Sequence, residues 1–438
     1  MDTLSLLRAG QLAGSRRLDL SCGLTQFPAE IFDLAESLEI LNLSGNALSS
    51  LPDDLGRLHK LRILFCSDNQ FTELPAVLGQ CRQLEMVGFK ANRIRSVPAA
   101  ALTPALRWLI LTDNRIGALP AELGQCTRLQ KLMLAGNQLQ QLPAQMAACT
   151  QLELLRIAAN RFSALPDWLL ALPRLSWLAY AGNPFCEASE AAALAQGGRL
   201  QSIAWRSLDL QQQLGEGASG VIYQANWHSD AGRKEVAVKL FKGALTSDGL
   251  PHSEMAACIS AGAHPNLIGV AGNIDGHPAG TPGLVMALID ASYRNLAGPP
   301  SLDSCTRDIY APGTAFTPDA AVRIARGIAA AACHLHAQGI LHGDLYAHNV
   351  LHNGQGDCLL GDFGAASFFA PDDAKRAQAL QRIAVRAFAC LLEELLARCA
   401  AADTQGLKTL RALQARCADS NRAARPLFAE IVQILATE

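Results

Sequence analysis

A chain of 438 residues is too long for one hydrophobic core and predicts two or three domains. Half of its residues are hydrophobic and only 17% are charged, which excludes a disordered chain and leaves ample material for burial. A formal net charge of −2 excludes the basic field that nucleic acid or an anionic membrane would select, so neither is an expected partner.

Residues 1–14 are read as a lead-in, and the stretch from Met1 to Leu20 lacks a long apolar run followed by a small-residue cleavage site. No segment approaches the roughly 20 apolar residues that span a bilayer. The expectation is that both halves share one compartment, the cytoplasm, and that a receptor with its halves on opposite sides of a membrane is excluded. The 13 cysteines fit a reducing compartment, because they show no paired spacing. Cys81, Cys126 and Cys149 occupy one position, three residues before Leu84, Leu129 and Leu152, where other repeats place Leu58 and Leu172. Cysteine there is predicted to be a small buried hydrophobe rather than part of a disulfide or metal framework.

Residues 15–186 carry an internal period, and with a C-terminal cap they make a first domain of residues 15–196. Asn46, Asn69, Asn92, Asn114, Asn137, Asn160 and Asn183 recur at spacings of 23, 23, 22, 23, 23 and 23, each closing an L-x-x-L-x-L-x-x-N frame or an apolar variant of it. A second beat, from Leu51-Pro52 to Leu165-Pro166, follows each frame, and Gly23 with Phe27-Pro28 forms a degenerate first copy. The L-x-L pair is expected to turn inward from a short parallel strand, while the Asn side chain satisfies main-chain groups in the buried turn that follows. No unit can bury its leucines alone, so the units must stack. The pattern resembles the leucine-rich-repeat family, with Ser189–Gln196 as a helical cap and Ser189 as its N-cap.

The strand position before the second leucine reads Ile40, Ile63, Met86, Trp108, Lys131, Leu154 and Trp177, with Phe65, Ile110 and Met133 expected on the same concave face. An apolar row there points to a protein partner or substrate bound through Ile40, Ile63, Met86, Trp108, Leu154 and Trp177, or else to cover by another part of the chain.

After a junction at 197–204 the pattern changes, and residues 205–438 read as a second domain. Leu214, Gly215, Gly217 and Gly220 belong to a G-x-G-x-x-G loop between strand-like runs, where glycines let the main chain close over phosphates. Dinucleotide folds start a helix directly after such a loop, whereas Val221–Trp227 is strand-like. Lys239 follows in Val236-Ala237-Val238-Lys239, and Glu254 lies in a predicted helix, placed to pair with it. Then come His342-Gly343-Asp344, Asn349 and Asp362-Phe363-Gly364.

Order and spacing together resemble the protein kinase family. The implied architecture is an α/β leucine-rich-repeat solenoid followed by an α+β two-lobed protein kinase-like domain. The resemblance implies ATP and Mg²⁺ as cofactors: Lys239 on the phosphates, Asp344 orienting the acceptor hydroxyl and taking its proton, and Asn349 and Asp362 holding the metal. It also implies that Ile222 and Ala237 sandwich the adenine, with Met286 as gatekeeper and Ala287–Ile289, centred on Leu288, as hinge. The ending Asn421–Ile431 resembles the final helix of tyrosine-kinase-like serine/threonine kinases. His334, His336, His342, His348 and His352 lack the fixed spacing of a zinc site.

Four departures qualify the resemblance. Gly343 stands where an arginine usually precedes the catalytic aspartate, and Tyr346 where a serine/threonine kinase carries a lysine, with His348 only a partial substitute. The segment between Asp362 and an expected helix at Gln381–Leu396 is short, lacks A-P-E, and holds a single hydroxyl before Leu380, that of Ser367. Arg425 therefore loses its usual glutamate. Ala384 replaces the aspartate that anchors the catalytic loop, so something else must brace it. An active protein kinase recruited by its repeats is the first reading, with a phosphotransferase for an unusual acceptor and a pseudokinase scaffold as alternatives. Control is expected through the Lys239–Glu254 pair, biased across the junction, rather than through loop phosphorylation. The Ala- and Leu-heavy composition is what a GC-rich bacterial genome produces.

Overall fold

The computed structural model describes residues 2–197, 201–217, 219–230, 232–243, 245–399 and 404–437. The chain divides into two compact units, Met1–Arg174 and Leu175–Glu438.

The first unit opens on helix α1 (Thr3–Arg8), whose first turn is capped by Asp2 Oδ1 accepting from Ser5 N at 2.8 Å. Seven short parallel strands follow in register: β1 (Arg17–Asp19), β2 (Ile40–Asn42), β3 (Ile63–Phe65), β4 (Met86–Gly88), β5 (Trp108–Ile110), β6 (Lys131–Met133) and β7 (Leu154–Arg156). The Leu-Pro beat has a structural cause. Pro28, Pro75, Pro98, Pro120 and Pro143 each precede a 3₁₀ turn, where a fixed φ and a missing N–H end the extended segment. The inward leucines Leu41, Leu64, Leu132 and Leu155 are fully buried.

The asparagines do what their spacing predicted. Asn137 Nδ2 donates to Leu111 O in the preceding repeat (2.8 Å) while its Oδ1 accepts from Ile116 N (3.0 Å). Asn46, Asn69, Asn92, Asn114 and Asn160 repeat the arrangement. Cys81, Cys126 and Cys149 are buried free thiols, pushed up to about 11 by burial, and their Sγ atoms donate to main-chain carbonyls.

The residue before each asparagine is left-handed, and not always glycine: φ is +52° at both Ala91 and Ala159. A side chain there costs about 1–2 kcal/mol, of which glycine returns about 0.4–1 through its freer unfolded chain. Ala159→Gly is therefore expected to stabilise the protein by up to about 1 kcal/mol, a thermal midpoint rise of about 2–4 °C. An unchanged or lower midpoint would show that the turn carries no such strain.

The apolar row occupies the first position of each strand, but it is not evenly accessible. Ile63, Met86 and Leu154 are buried, and Ile40 and Trp108 are half-buried. In-register strands about 4.8 Å apart set equivalent side chains against one another, so each shields the next. Lys131 Nζ lies 4.1 Å from the centroid of the Trp108 ring.

The second unit begins with a strand of the last repeat, β8 (Trp177–Ala179), and a 3₁₀ turn at Pro184–Cys186 that runs straight into α2 (Glu187–Gly197). This corrects the expected cap: the helix starts at Glu187, and Ser189 lies within its first turn instead of capping it. Part of the expected junction is a strand, β9 (Gln201–Ala204). Then come β10 (Leu208–Glu216), β11 (Gly220–Ser229), β12 (Gly232–Phe241), α3 (Pro251–Ala261), β13 (Val270–Asp275) and β14 (Gly283–Ala287). The sheet order is β10-β11-β12-β14-β13-β9, with β9 parallel to β13 and the other neighbours antiparallel. Ile203 of β9 is buried in its core with Leu208, Ala225, Val236, Val238 and Val285.

The helical part contains β15 (Arg294–Asn295), α4 (Pro318–Ala337), β16 (Ile340–Leu341), β17 (Val350–His352), β18 (Cys358–Leu360), β19 (Ser367–Phe368), α5 (Ala374–Leu396), α6 (Gln405–Cys417) and α7 (Phe428–Ala436). Alanines bury one face of α4, and His336 near its end packs on Phe428 of α7 at 5.2 Å. Two expected helices shift. Asp373 Oδ1 accepts from Arg376 N (3.1 Å), so α5 starts at Ala374 rather than Gln381. Asn421 caps a 3₁₀ turn, Arg422–Ala424, and the final helix begins only at Phe428. Among the described residues no helix is long and apolar enough to cross a membrane.

Candidate active site

The glycine loop is the tip of the β10–β11 hairpin, closed by Gly217 N donating to Gly220 O (2.9 Å) and braced by Lys242 N donating to Ser219 O (2.8 Å). Beneath it is a cleft lined by Gly217, Gly220, Ile222, Lys239, Met286 and Asp362. Strand register sets these groups side by side, because Ile222 pairs with Lys239 and Ala237 with Met286. Leu214, Gly215, Ala237 and Leu288 do not line the cavity. Leu214 is 48% exposed and Ala237 is buried within the sheet, while Leu288 follows the last residue of β14. Thr246, Asp248, Cys258, Leu267 and Val270 also line it. No phosphate-binding motif marks these residues, so the sequence reading missed them.

Lys239 Nζ donates to Glu254 Oε1. Burial opposes charge on the lysine, yet the adjacent carboxylate outweighs it and holds the ammonium above its ordinary pKa. Glu254 itself is 2% exposed, so the pair is a buried ion pair that joins β12 to α3.

Asn349 Nδ2 donates to both Asp344 O (2.9 Å) and Asp344 Oδ2 (2.8 Å), tying the two ends of the loop together. Asp362 is exposed, has a left-handed φ of +54°, and accepts from Gly364 N at Oδ1 (3.1 Å). Left-handed residues other than glycine survive where the surroundings over-determine them, often at functional sites.

The brace demanded by Ala384 comes from several directions. His342 Nε2 donates to Gly361 O (2.9 Å) and its Nδ1 accepts from Asp344 N (3.3 Å). On the other side, Trp177 Nε1 donates to Leu345 O (3.1 Å), and the indole stacks on the Tyr346 ring at 4.0 Å and 7°. Trp177 is thus corrected from a partner-facing residue to one that is 1% exposed against the loop that carries Asp344. Cover within the chain was the alternative reading, and it holds here. Tyr346 is buried by the same stack, which removes it from the position of a phosphate-binding lysine.

His348 is held by buried Asp308, which accepts from its main-chain N (2.9 Å) and bonds its Nδ1 (2.7 Å). Burial disfavours the imidazolium, but Asp308, with Asp344 and Asp362 beyond it, raises the pKa above its ordinary value. The remaining histidines are placed apart. His334 bonds Ala261 O, and the His352 ring packs 5.9 Å from that of Phe316.

The segment after Asp362 is short because β19 pairs at once with β16 and α5 begins soon after. Ser367 is fully buried, and its Oγ accepts from Tyr180 N (2.9 Å). Arg425 donates to Asp419 O (2.8 Å) and Arg382 O (3.4 Å). Burial and the nearby Arg386 and Arg422 push its pKa down to about 10.

Residues 208–396 match the family described as protein tyrosine and serine/threonine kinase, and residues 37–58 match the leucine rich repeat. No curated protein matches the chain. The protein is therefore a leucine-rich-repeat protein fused to a protein kinase-like domain, the repeat solenoid preceding a domain of protein tyrosine and serine/threonine kinase type.

Proposed function

We propose that the protein is an active ATP- and Mg²⁺-dependent protein kinase for serine or threonine hydroxyls, recruited to its partner or substrate by the repeats. The observation that carries this reading is the joint assembly of the Lys239–Glu254 ion pair, the Asn349–Asp344 bonds and the left-handed Asp362 in one unit. In this reading the glycine loop covers the phosphates, Lys239 holds them, and Ile222 and Met286 border the adenine. Asp344 accepts the hydroxyl proton. An exposed Asp362 carboxylate and the amide oxygen of Asn349 are hard donors of the kind Mg²⁺ takes. When bound, the ion would neutralise charge on the transferring phosphoryl group. Ile40, Trp108 and Lys131 are the row residues with surface to offer a partner.

The reduced platform after Phe368 favours a second reading, transfer to an unusual acceptor. Incorporation of labelled γ-phosphate into a proteome extract tests both, with Asp362→Asn as control. Labelled serine or threonine in proteins supports the proposal, and label only in small molecules supports the second reading. Equal labelling by the control would refute both.

Loop phosphorylation has no place in this mechanism, because the Ser367 hydroxyl is fully buried and Gly343 offers no charge to a phosphate. Phosphatase-treated protein is expected to keep its rate. A loss of more than about 10-fold, equivalent to about 1.4 kcal/mol of barrier, would show otherwise.

A further inference from the structure

The last repeat contacts three elements that kinases ordinarily move in order to switch. Its strand meets the catalytic loop through Trp177, as described. Tyr180 meets the segment after Asp362, with its N–H on Ser367 Oγ and its hydroxyl donating to Phe368 O (3.1 Å). Helix α2 meets α3 through a buried carboxylate: Glu190 Oε1 accepts from Gly182 N (2.7 Å), and Oε2 accepts from Ser253 Oγ (2.8 Å). Glu190 and Ser253 are 5% and 2% exposed, and Ser253 immediately precedes Glu254. A buried carboxylate with two donors is costly to disturb, since either donor left alone is desolvated without a partner. Its position therefore fixes the first turn of α3, and with it the carboxylate that holds Lys239.

We infer that Glu190 is a positioning residue for the phosphotransfer site: acting through Ser253, it holds the Lys239–Glu254 pair assembled, so the last repeat does the work that a phosphorylated activation segment does elsewhere. The inference rests on the kinase reading for its consequence and on hydrogen bonds for its geometry. Chemistry sets the pattern of variants. Glu190→Gln can still accept from Gly182 N at its oxygen and donate from its amide to Ser253 Oγ, which reverses one bond and keeps the connection. Glu190→Ala loses both bonds together with the 3.9 Å approach of His252 Nε2 to Oε2, whereas Ser253→Ala loses only the hydrogen bond to α3 and leaves the His252 approach in place.

The test uses the full chain and two readouts. Hydrogen exchange followed by mass spectrometry is expected to show faster exchange across Pro251–Ala261 in Glu190→Ala and Ser253→Ala, with α4 and α5 unchanged and Glu190→Gln close to the parent protein. Turnover is expected to fall about 10-fold in the two alanine variants, about 1.4 kcal/mol of barrier, and to recover in Glu190→Gln. Unaltered exchange in α3 of both alanine variants would overturn the inference, as would a glutamine variant as impaired as alanine. If Glu190→Ala fails to fold, Ser253→Ala carries the test, because it leaves the Glu190–Gly182 bond within the repeat. Exchange reads the brace whether or not phosphate is transferred. A parent protein without transferase activity would count against the proposed function alone.

Discussion

Asp344→Asn and Lys239→Met are each expected to lower phosphotransfer by about 100-fold or more, while the thermal midpoint moves by no more than a few degrees in the aspartate variant. The two effects separate because the side chains sit differently. Asp344 is only partly buried, and asparagine keeps an oxygen to accept from Asn349 Nδ2, so the loop survives while the proton acceptor is lost. Lys239→Met removes the cation from a buried pair and leaves Glu254 2% exposed without its partner. That variant is expected to lose stability as well, by about 3 kcal/mol, unless the carboxyl takes up a proton. The lysine variant should then regain stability as the pH falls, because burial already raises the carboxyl pKa and protonation removes the unpaired charge. Steady-state rates with labelled ATP and thermal melts across pH check both halves. Full activity in Asp344→Asn would sink the assignment of that residue as the proton acceptor.

How much of this was legible depended on whether a residue's task was local. The asparagine period fixed strand register, because each side chain answers to main-chain groups one repeat away. The glycine loop, Lys239, Glu254, Asn349 and Asp362 stood out in the sequence because the resembled family carries such groups in that order, and the structure brings Lys239 to Glu254 and Asn349 to Asp344. Trp177 was assigned to the right strand position and the wrong surroundings, since periodicity says which way a side chain faces but not what lies opposite. Glu190 left no signal in an alanine-rich helix, for its partner Ser253 is 63 residues away. The early start of α5 did leave one: Asp373 directly before Ala374 is an N-cap, and the sequence reading passed over it.

Gly343→Arg restores the residue usual in the resembled family, and it is expected to damage this protein rather than improve it. Gly343 has a φ of +75°, where a side chain costs about 1–2 kcal/mol. A Cβ at this position would lie 2.3 Å from Ala365 O and 2.7 Å from Leu178 O, both main-chain atoms that cannot rotate away. Leu178 belongs to the last repeat strand, so the space an arginine would need is already filled by that strand. Displacing it would also strip Trp177 from Leu345 O and from the Tyr346 ring. Overpacking of this kind adds about 1–3 kcal/mol, for a combined loss of about 2–5 kcal/mol. At about 2–4 °C per kcal/mol for a unit of this size, the thermal midpoint should fall by at least about 4 °C. Gly343→Ala should fall nearly as far, because the clash begins at Cβ, and that separates crowding from the effect of a new charge. An arginine variant that melts with the parent protein would show that the repeat strand does not fill this space in solution. The catalytic loop would then need a different brace in place of the missing aspartate at Ala384.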